Sequence, residues 1–121
     1  MDGISPKMQN QIAMLQQMQQ QLQTVVGQKA QYEMAIREAK KAAEELADVP
    51  ADAEVFMSVG TVMIQQSKEK VQKTLQERTE SLELRVKSLE KQEKALQEKF
   101  ESLSNQVRGA LEGKRAPPTA E

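Results

Sequence analysis

Apolar side chains recur in alternating steps of three and four residues along two long stretches of this chain. The first series consists of Ile4, Met8, Gln11, Leu15, Met18, Leu22, Val25, Lys29, Tyr32, Ile36, Ala39, Ala43 and Leu46. The second consists of Leu75, Thr79, Leu82, Val86, Leu89, Glu93, Leu96, Phe100, Leu103, Val107 and Ala110. Such a repeat, with polar residues between the apolar ones, is typical of a coiled-coil seam. The pattern therefore predicts two long helices that pack against each other.

A short β-like segment separates the two series. It surrounds one glycine with apolar side chains, and its residues include Val55, Phe56, Val59, Gly60, Val62, Met63 and Ile64. Ser58–Thr61 predicts a tight turn in which Gly60 takes the positive φ of a type II or bulged type I turn. The predicted fold is mainly α, a long antiparallel two-helix coiled coil connected by a single β-hairpin. We expect residues 1–121 to form a single domain.

Local signals place the ends of the predicted elements. Ser5 and Pro6 suit the N-cap and first position of a helix over about 6–47, which Pro50 then brings to an end. The hairpin is expected over about 54–66. Ser67 suits the N-cap of a second helix over about 68–112, which frays near its last two glycines. Residues 114–121 have no periodicity and contain two prolines, so we expect a disordered tail.

The predicted hairpin cannot complete a core alone. A lone two-stranded hairpin is marginally stable in water and has two unpaired edges. We therefore expect hairpins from several subunits to join edge to edge into a shared sheet or barrel. The alternative is an apolar linker that packs back on the chain's own helices.

Composition excludes several classes of function. Lys plus Arg number 17 against 18 acidic residues, and the signs are interleaved, which argues against a nucleic-acid partner. The chain has no His and no Cys, and no glycine-rich phosphate loop, so we expect no enzyme activity, no metal site and no cofactor. There is neither an apolar run of roughly 18 residues nor a signal peptide, which predicts a cytoplasmic protein without membrane contact.

Glutamine is concentrated in the first predicted helix, where ten glutamines lie between Gln9 and Gln31. One interpretation is a prion-like segment. The interpretation we favour is a solvated helix face, because glutamine is a fair helix former and most of these positions flank the seam.

Three stretches resemble the β-type subunits of prefoldin, above all the archaeal ones. They are 54–60 at the first strand and turn, 40–46 at the end of the glutamine-rich helix, and 83–93 in the second helix. The resemblance covers nearly the whole chain. The α-type subunit has two hairpins in a longer insertion, whereas about 20 residues with one glycine turn separate the helices here. Met57 departs from the pattern, since a polar or basic residue is expected there.

The resemblance implies a heterohexamer of two α-type and four β-type subunits. Their hairpins would build a double β-barrel platform from which six coiled coils extend. The complex would be an ATP-independent holdase that captures unfolded proteins at the coiled-coil tips and delivers them to a group II chaperonin. The runner-up interpretation is a structural coiled-coil adaptor or spacer that oligomerises through its hairpin.

The free ends of the two helices carry more apolar residues than a two-stranded seam uses. Contiguous exposed apolar surface usually marks an interaction site, and flexible methionines suit one that binds differing partners. We therefore predict a client-binding surface at the tips. Its residues would be Met8, Ile12, Met14, Leu15, Met18, Leu103, Val107 and Leu111. The alternative is that these residues only complete the coiled coil or meet the tip of another subunit.

Overall fold

The computed structural model of the chain describes residues 4–115, with side chains described up to residue 113. Two long helices, α1 (Pro6–Ala47) and α2 (Lys68–Arg115), are joined by two strands, β1 (Val55–Val59) and β2 (Val62–Gln66). Both helices exceed 40 residues. The predicted fold class, two long helices with one antiparallel hairpin between them, is confirmed.

Serine hydroxyls cap the first turns of both helices. Ser5 Oγ accepts a hydrogen bond from the N–H of Met8 at 3.1 Å, and Ser67 Oγ accepts one from the N–H of Lys70 at 3.1 Å. Each cap thereby satisfies a backbone donor that has no partner inside its helix. Both helix starts are the ones that the sequence predicts.

The end of α2 differs from the prediction. The helix continues through Gly109 and Gly113 to Arg115, so residues 114 and 115 belong to the helix rather than to a tail. The rest of the predicted tail, 116–121, lies outside the described residues.

The hairpin pairs β1 and β2 in antiparallel register, from Val59 opposite Val62 to Val55 opposite Gln66. Its loop is therefore Gly60-Thr61, one residue later than the predicted centre of the turn. Gly60 has φ of 62° and no other described residue has positive φ. Glycine at the first loop position is the pattern of a type II′ turn, whose twist matches that of the two strands. The predicted positive φ at Gly60 is confirmed, but the turn type differs.

The chain separates into two compact units. The terminal unit combines Met1–Gly27 with Leu89–Glu121, and the hairpin unit is Gln28–Ser88. The prediction that residues 1–121 form one domain stays a prediction.

Each unit has a small seam of buried apolar side chains. In the terminal unit these are Met8, Val25, Leu89 and Val107, and in the hairpin unit Ala39, Leu46, Val71, Leu82 and Val86. All except Val71 are members of the two predicted series, and Val71 lies one step of four before the second series begins. The heptad pattern therefore identifies the side chains that the helices bury.

Polar contacts between α1 and α2 in the hairpin unit match the antiparallel direction of the two helices. Lys40 Nζ lies 3.5 Å from Glu83 Oε2, and the Arg85 guanidinium lies 5.7 Å from the centre of the Tyr32 ring. The earlier residue of α1 thus faces the later residue of α2. In the seam itself, the hydroxyl of Thr79 donates to the carbonyl of Leu75 at 2.9 Å, which lets a polar residue occupy a seam position.

Neither α1 nor α2, over the residues that the structure describes, is both long and apolar enough to cross a membrane.

Candidate functional site

The hairpin exposes apolar side chains on both of its faces. Val55, Met57, Val59, Val62 and Ile64 lie on one face, and Phe56 and Met63 lie on the other, as the register requires. Phe56 is 50% exposed and Met63 is 67% exposed. Ile64, Val59 and Val62 are also exposed, whereas Val55 and Met57 are half-buried. Within the described chain the helices therefore do not cover the hairpin, which argues against an apolar linker packed on its own helices.

Both edges of the hairpin lack a neighbouring strand within the described residues, because the sheet contains only β1 and β2. In a hairpin with a two-residue loop, the pair that flanks the loop exchanges hydrogen bonds, and bonded pairs then alternate with non-bonded ones. The N–H and C=O groups of Phe56 and Ser58 therefore point outward from β1. Those of Met63 and Gln65 point outward from β2. Two strand edges are available for pairing.

Lys68 holds the base of the hairpin, a role that the sequence analysis did not assign. Its ammonium donates hydrogen bonds to the carbonyl oxygens of Ala47 at 3.1 Å and Val49 at 2.6 Å. The last turn of α1 has no basic residue of its own. A cation at the start of α2 thus supplies the positive charge and donors that the end of α1 requires. The absence of a basic residue from the last turn of α1 is the sequence feature that could have indicated this role of Lys68.

A groove lies beside the hairpin, within the hairpin unit. It encloses about 340 Å³ and is lined mainly by apolar side chains, among them Leu46, Phe56, Met57, Val71 and Leu75. Arg78 supplies a cation at its rim. The apolar surface of the hairpin therefore continues onto the adjoining ends of both helices.

In the terminal unit, two of the predicted client-binding residues pack into the seam. Met8 is 4% exposed and Val107 is 6% exposed, so neither offers side-chain surface to a ligand in this conformation. Ile12, Leu15 and Leu111 are half-buried. All three therefore have a surface portion beside the seam.

The other three predicted residues, Met14, Met18 and Leu103, line one groove. This methionine groove is a shallow, open depression of about 440 Å³, and Ala95, Glu98, Lys99, Ser102 and Gln106 of α2 form the rest of its lining. Met14 is 48% exposed, the largest exposure among the predicted client-binding residues. The α1 side of the groove is apolar, and its α2 side combines Ala95 and Leu103 with the polar side chains of Glu98, Lys99, Ser102 and Gln106. The groove can receive apolar side chains without demanding a particular charge.

A second groove in the terminal unit has a different character. It encloses about 480 Å³, and its lining combines Leu22 and Phe100 with Gln97, Glu101, Ser104, Asn105 and Arg108. Polar groups therefore make up more of this wall. The apolar series does not predict this groove, because only Leu22 and Phe100 of its lining belong to the series.

Nothing in residues 4–115 resembles a metal centre, since no cluster of three or more potential metal-ligating side chains occurs there.

Comparison with known proteins decides the family. A family model described as "Prefoldin subunit" matches residues 9–114. The chain belongs to the prefoldin subunit family. The prefoldin subunit beta of Methanoculleus marisnigri is 72% identical over 118 residues, which cover 98% of each chain. That of Pyrococcus abyssi is 40% identical over 99% of each chain. The predicted resemblance to β-type prefoldin subunits is thereby confirmed.

A solved structure shares the fold. The crystal structure of the prefoldin beta subunit from Thermococcus strain KS-1 superposes with a TM-score of 0.85 at 42% identity. The match covers 97% of this chain and 100% of that one. The single hairpin between two long helices is therefore the architecture of a β-type prefoldin subunit.

Proposed function

We propose that this prefoldin subunit is part of an ATP-independent holdase, which captures unfolded proteins and delivers them to a group II chaperonin. Prefoldin is a chaperone family rather than an enzyme family. Exposed Met14 in the open methionine groove is the observation that carries the proposal. An apolar groove lined by flexible thioethers adapts to side chains of differing shape, as an unfolded client requires.

The proposed assembly rests on the hairpin. We infer that this subunit joins α-type subunits in a cytoplasmic heterohexamer of two α-type and four β-type chains. Five exposed apolar side chains and two unpaired strand edges on one short hairpin support it. Burying an apolar side chain contributes about 1.5–3 kcal/mol relative to leaving it in water, so several such residues favour a shared sheet or barrel.

We propose a smaller client-binding surface than the full predicted set. Met8 and Val107 stabilise the seam, and the exposed part of the predicted set is centred on Met14, Met18 and Leu103. A test should therefore alter Met14 without disturbing the seam. Met14→Gln removes apolar surface and keeps helix propensity.

The measurement is light scattering of a chemically denatured client that is diluted into buffer containing the assembled complex. We expect Met14→Gln to weaken suppression of aggregation several-fold at equal protein concentration. Met34→Gln is the matched control, because Met34 is an exposed methionine in α1 of the hairpin unit and is 57% exposed. It should suppress aggregation as well as the unaltered chain does.

Two results would contradict the proposal. If the complex with Met14→Gln suppresses client aggregation as well as the unaltered complex does, the client-binding surface lies elsewhere. An unaltered complex that protects no client, while its oligomer remains intact, favours the structural adaptor instead.

A further inference from the structure

One side of the terminal unit differs sharply in charge from the other. The chain has no Asp, Glu, Lys or Arg between Lys7 and Lys29, so this part of α1 carries no side-chain charge. The facing part of α2 carries charges throughout, among them Glu98, Lys99 and Arg108. Charged residues increase the solubility of an exposed helix face, so exposure to solvent alone does not explain why this part of α1 lacks them. The neutrality of α1 here is therefore a property that a function can explain.

Helix geometry brings three side-chain amides of α1 next to Met14, although none of them lines the methionine groove itself. Asn10, Gln17 and Gln21 precede or follow Met14 by four, three and seven residues, which places them on the same side of the helix. All three are exposed. We call Asn10, Gln17 and Gln21 the amide strip. It runs along the solvent side of Met14, while Met18 and Leu103 lie in the groove itself.

The chemistry of the amide strip suits the main chain of an extended peptide. Each glutamine or asparagine side chain offers both a donor and an acceptor, the same two groups that each residue of an unfolded chain leaves unpaired. An apolar segment that enters the groove also desolvates the groups beside it. Desolvation of a charge costs far more than desolvation of an amide that finds a hydrogen-bond partner. A neutral strip thus favours clients with apolar, weakly charged segments.

We propose that the amide strip binds the backbone of an extended client segment whose apolar side chains occupy the methionine groove. This inference rests on the proposed capture of unfolded proteins and names the client chemistry. The client is an apolar peptide in extended conformation with free backbone N–H and C=O groups. Recognition of the backbone lets apolar client segments of differing sequence bind in the same way.

The test compares two double variants whose substituted positions are shifted by one residue along α1. Gln17→Ala with Gln21→Ala removes two amides of the strip. Gln16→Ala with Gln20→Ala removes two exposed glutamines at the same spacing, but Gln16 and Gln20 lie about 160° and about 120° around the helix from Met14. The probes are a fluorescein-labelled peptide of 12 residues with alternating Leu and Ser, and the same peptide with alternate backbone nitrogens methylated. Binding is measured by fluorescence anisotropy with the full chain in its assembled form.

We expect Gln17→Ala/Gln21→Ala to weaken binding of the unmethylated peptide about five- to tenfold, the effect of losing one or two net hydrogen bonds. Methylation of the peptide should weaken its binding to the unaltered complex to a similar extent. The double variant should then bind both peptides equally. Gln16→Ala/Gln20→Ala should behave as the unaltered complex does.

The Met14→Gln variant distinguishes a failure of the backbone inference from a failure of the proposed function. If Met14→Gln loses the peptide but Gln17→Ala/Gln21→Ala binds it normally, the backbone inference is wrong and the groove remains a client site. Equal losses in the Gln17/Gln21 and Gln16/Gln20 variants also overturn the inference. If Met14→Gln binds the peptide as the unaltered complex does, the proposed function fails at this surface, and the backbone inference fails with it.

Discussion

The ammonium of Lys68 lies 2.6 Å from the carbonyl oxygen of Val49. The same ammonium bonds the carbonyl of Ala47, the last residue of α1. One side chain at the start of α2 therefore connects the end of α1 with the segment that leads into the hairpin. Because the contact joins residues about 20 positions apart, it fixes where the hairpin begins relative to both helices.

Lys68→Met is expected to lower the free energy of unfolding by about 1 kcal/mol. A hydrogen bond to a charged group contributes more than a neutral one, and the half-exposed position reduces that contribution. Lys70→Met is the control, because both lysines lie in the first turn of α2 and oppose its dipole. Chemical unfolding at one fixed protein concentration measures the difference. Equal stability of the two variants would show that the α1 contact contributes nothing.

The seam gives a second matched pair of variants. Leu82 is 8% exposed, whereas Leu84, two residues later in α2, is 67% exposed. Leu82→Ala should cost about 2–4 kcal/mol, since a buried leucine loses both its transfer free energy and its packing. Leu84→Ala should change stability by less than about 0.5 kcal/mol. Thermal unfolding followed by circular dichroism compares them, and similar shifts in both variants would contradict the assigned seam.

Some features of the fold follow directly from local sequence signals. Ser5, Ser67 and Pro50 mark helix ends because capping and the geometry of proline act on neighbouring residues. The heptad series identifies the buried residues because seam positions repeat with a fixed period. The strand faces follow from alternation once Gly60 locates the turn. These predictions need no knowledge of distant contacts.

Other features depend on contacts that the sequence does not encode locally. The turn is centred one residue later than predicted because Val59 pairs with Val62. This register depends on both strands and not on the turn residues alone. Lys68 reaches α1 only after the hairpin brings the helix ends together. In the terminal unit, Met8, Met14 and Val107 are all apolar, yet only Met14 is exposed. The heptad series contains Met8 and Val107 but not Met14, so it predicts which of the three is exposed, although the predicted client-binding set includes all three.

The exposed hairpin predicts how single charges affect assembly. Phe56→Asp or Ile64→Asp should dissociate the oligomer while leaving helical content unchanged, because an unpaired carboxylate in an apolar interface is costly. Leu84→Asp introduces the same charge at an exposed apolar position on α2 and should assemble normally. Sedimentation measures the mass of the oligomer, and circular dichroism measures the helical content. If both hairpin variants keep the oligomer mass, the hairpin is not the assembly surface.

The strand edges permit a sharper test, because proline removes a backbone N–H without adding charge. The N–H of Ser58 points outward from β1, whereas that of Met57 bonds to β2 within the hairpin, as the alternation from the Val59–Val62 pair requires. Ser58→Pro should therefore preserve the hairpin and weaken assembly if a neighbouring subunit pairs with the β1 edge. Gln65→Pro makes the same change on the β2 edge. Met57→Pro should disrupt the hairpin itself.

Comparison of the three proline variants distinguishes edge pairing from side-chain packing. Backbone pairing predicts a fall in oligomer mass for Ser58→Pro or Gln65→Pro while the unfolding midpoint of the dissociated chain stays near that of the unaltered chain. Met57→Pro should lower both quantities, because it breaks a ladder bond inside the subunit. Assembly that is unaffected by proline at either edge, yet abolished by Phe56→Asp, would mean that hairpins meet through their apolar faces. The edges would then remain unpaired in the complex, and a continuous barrel of strands would be excluded.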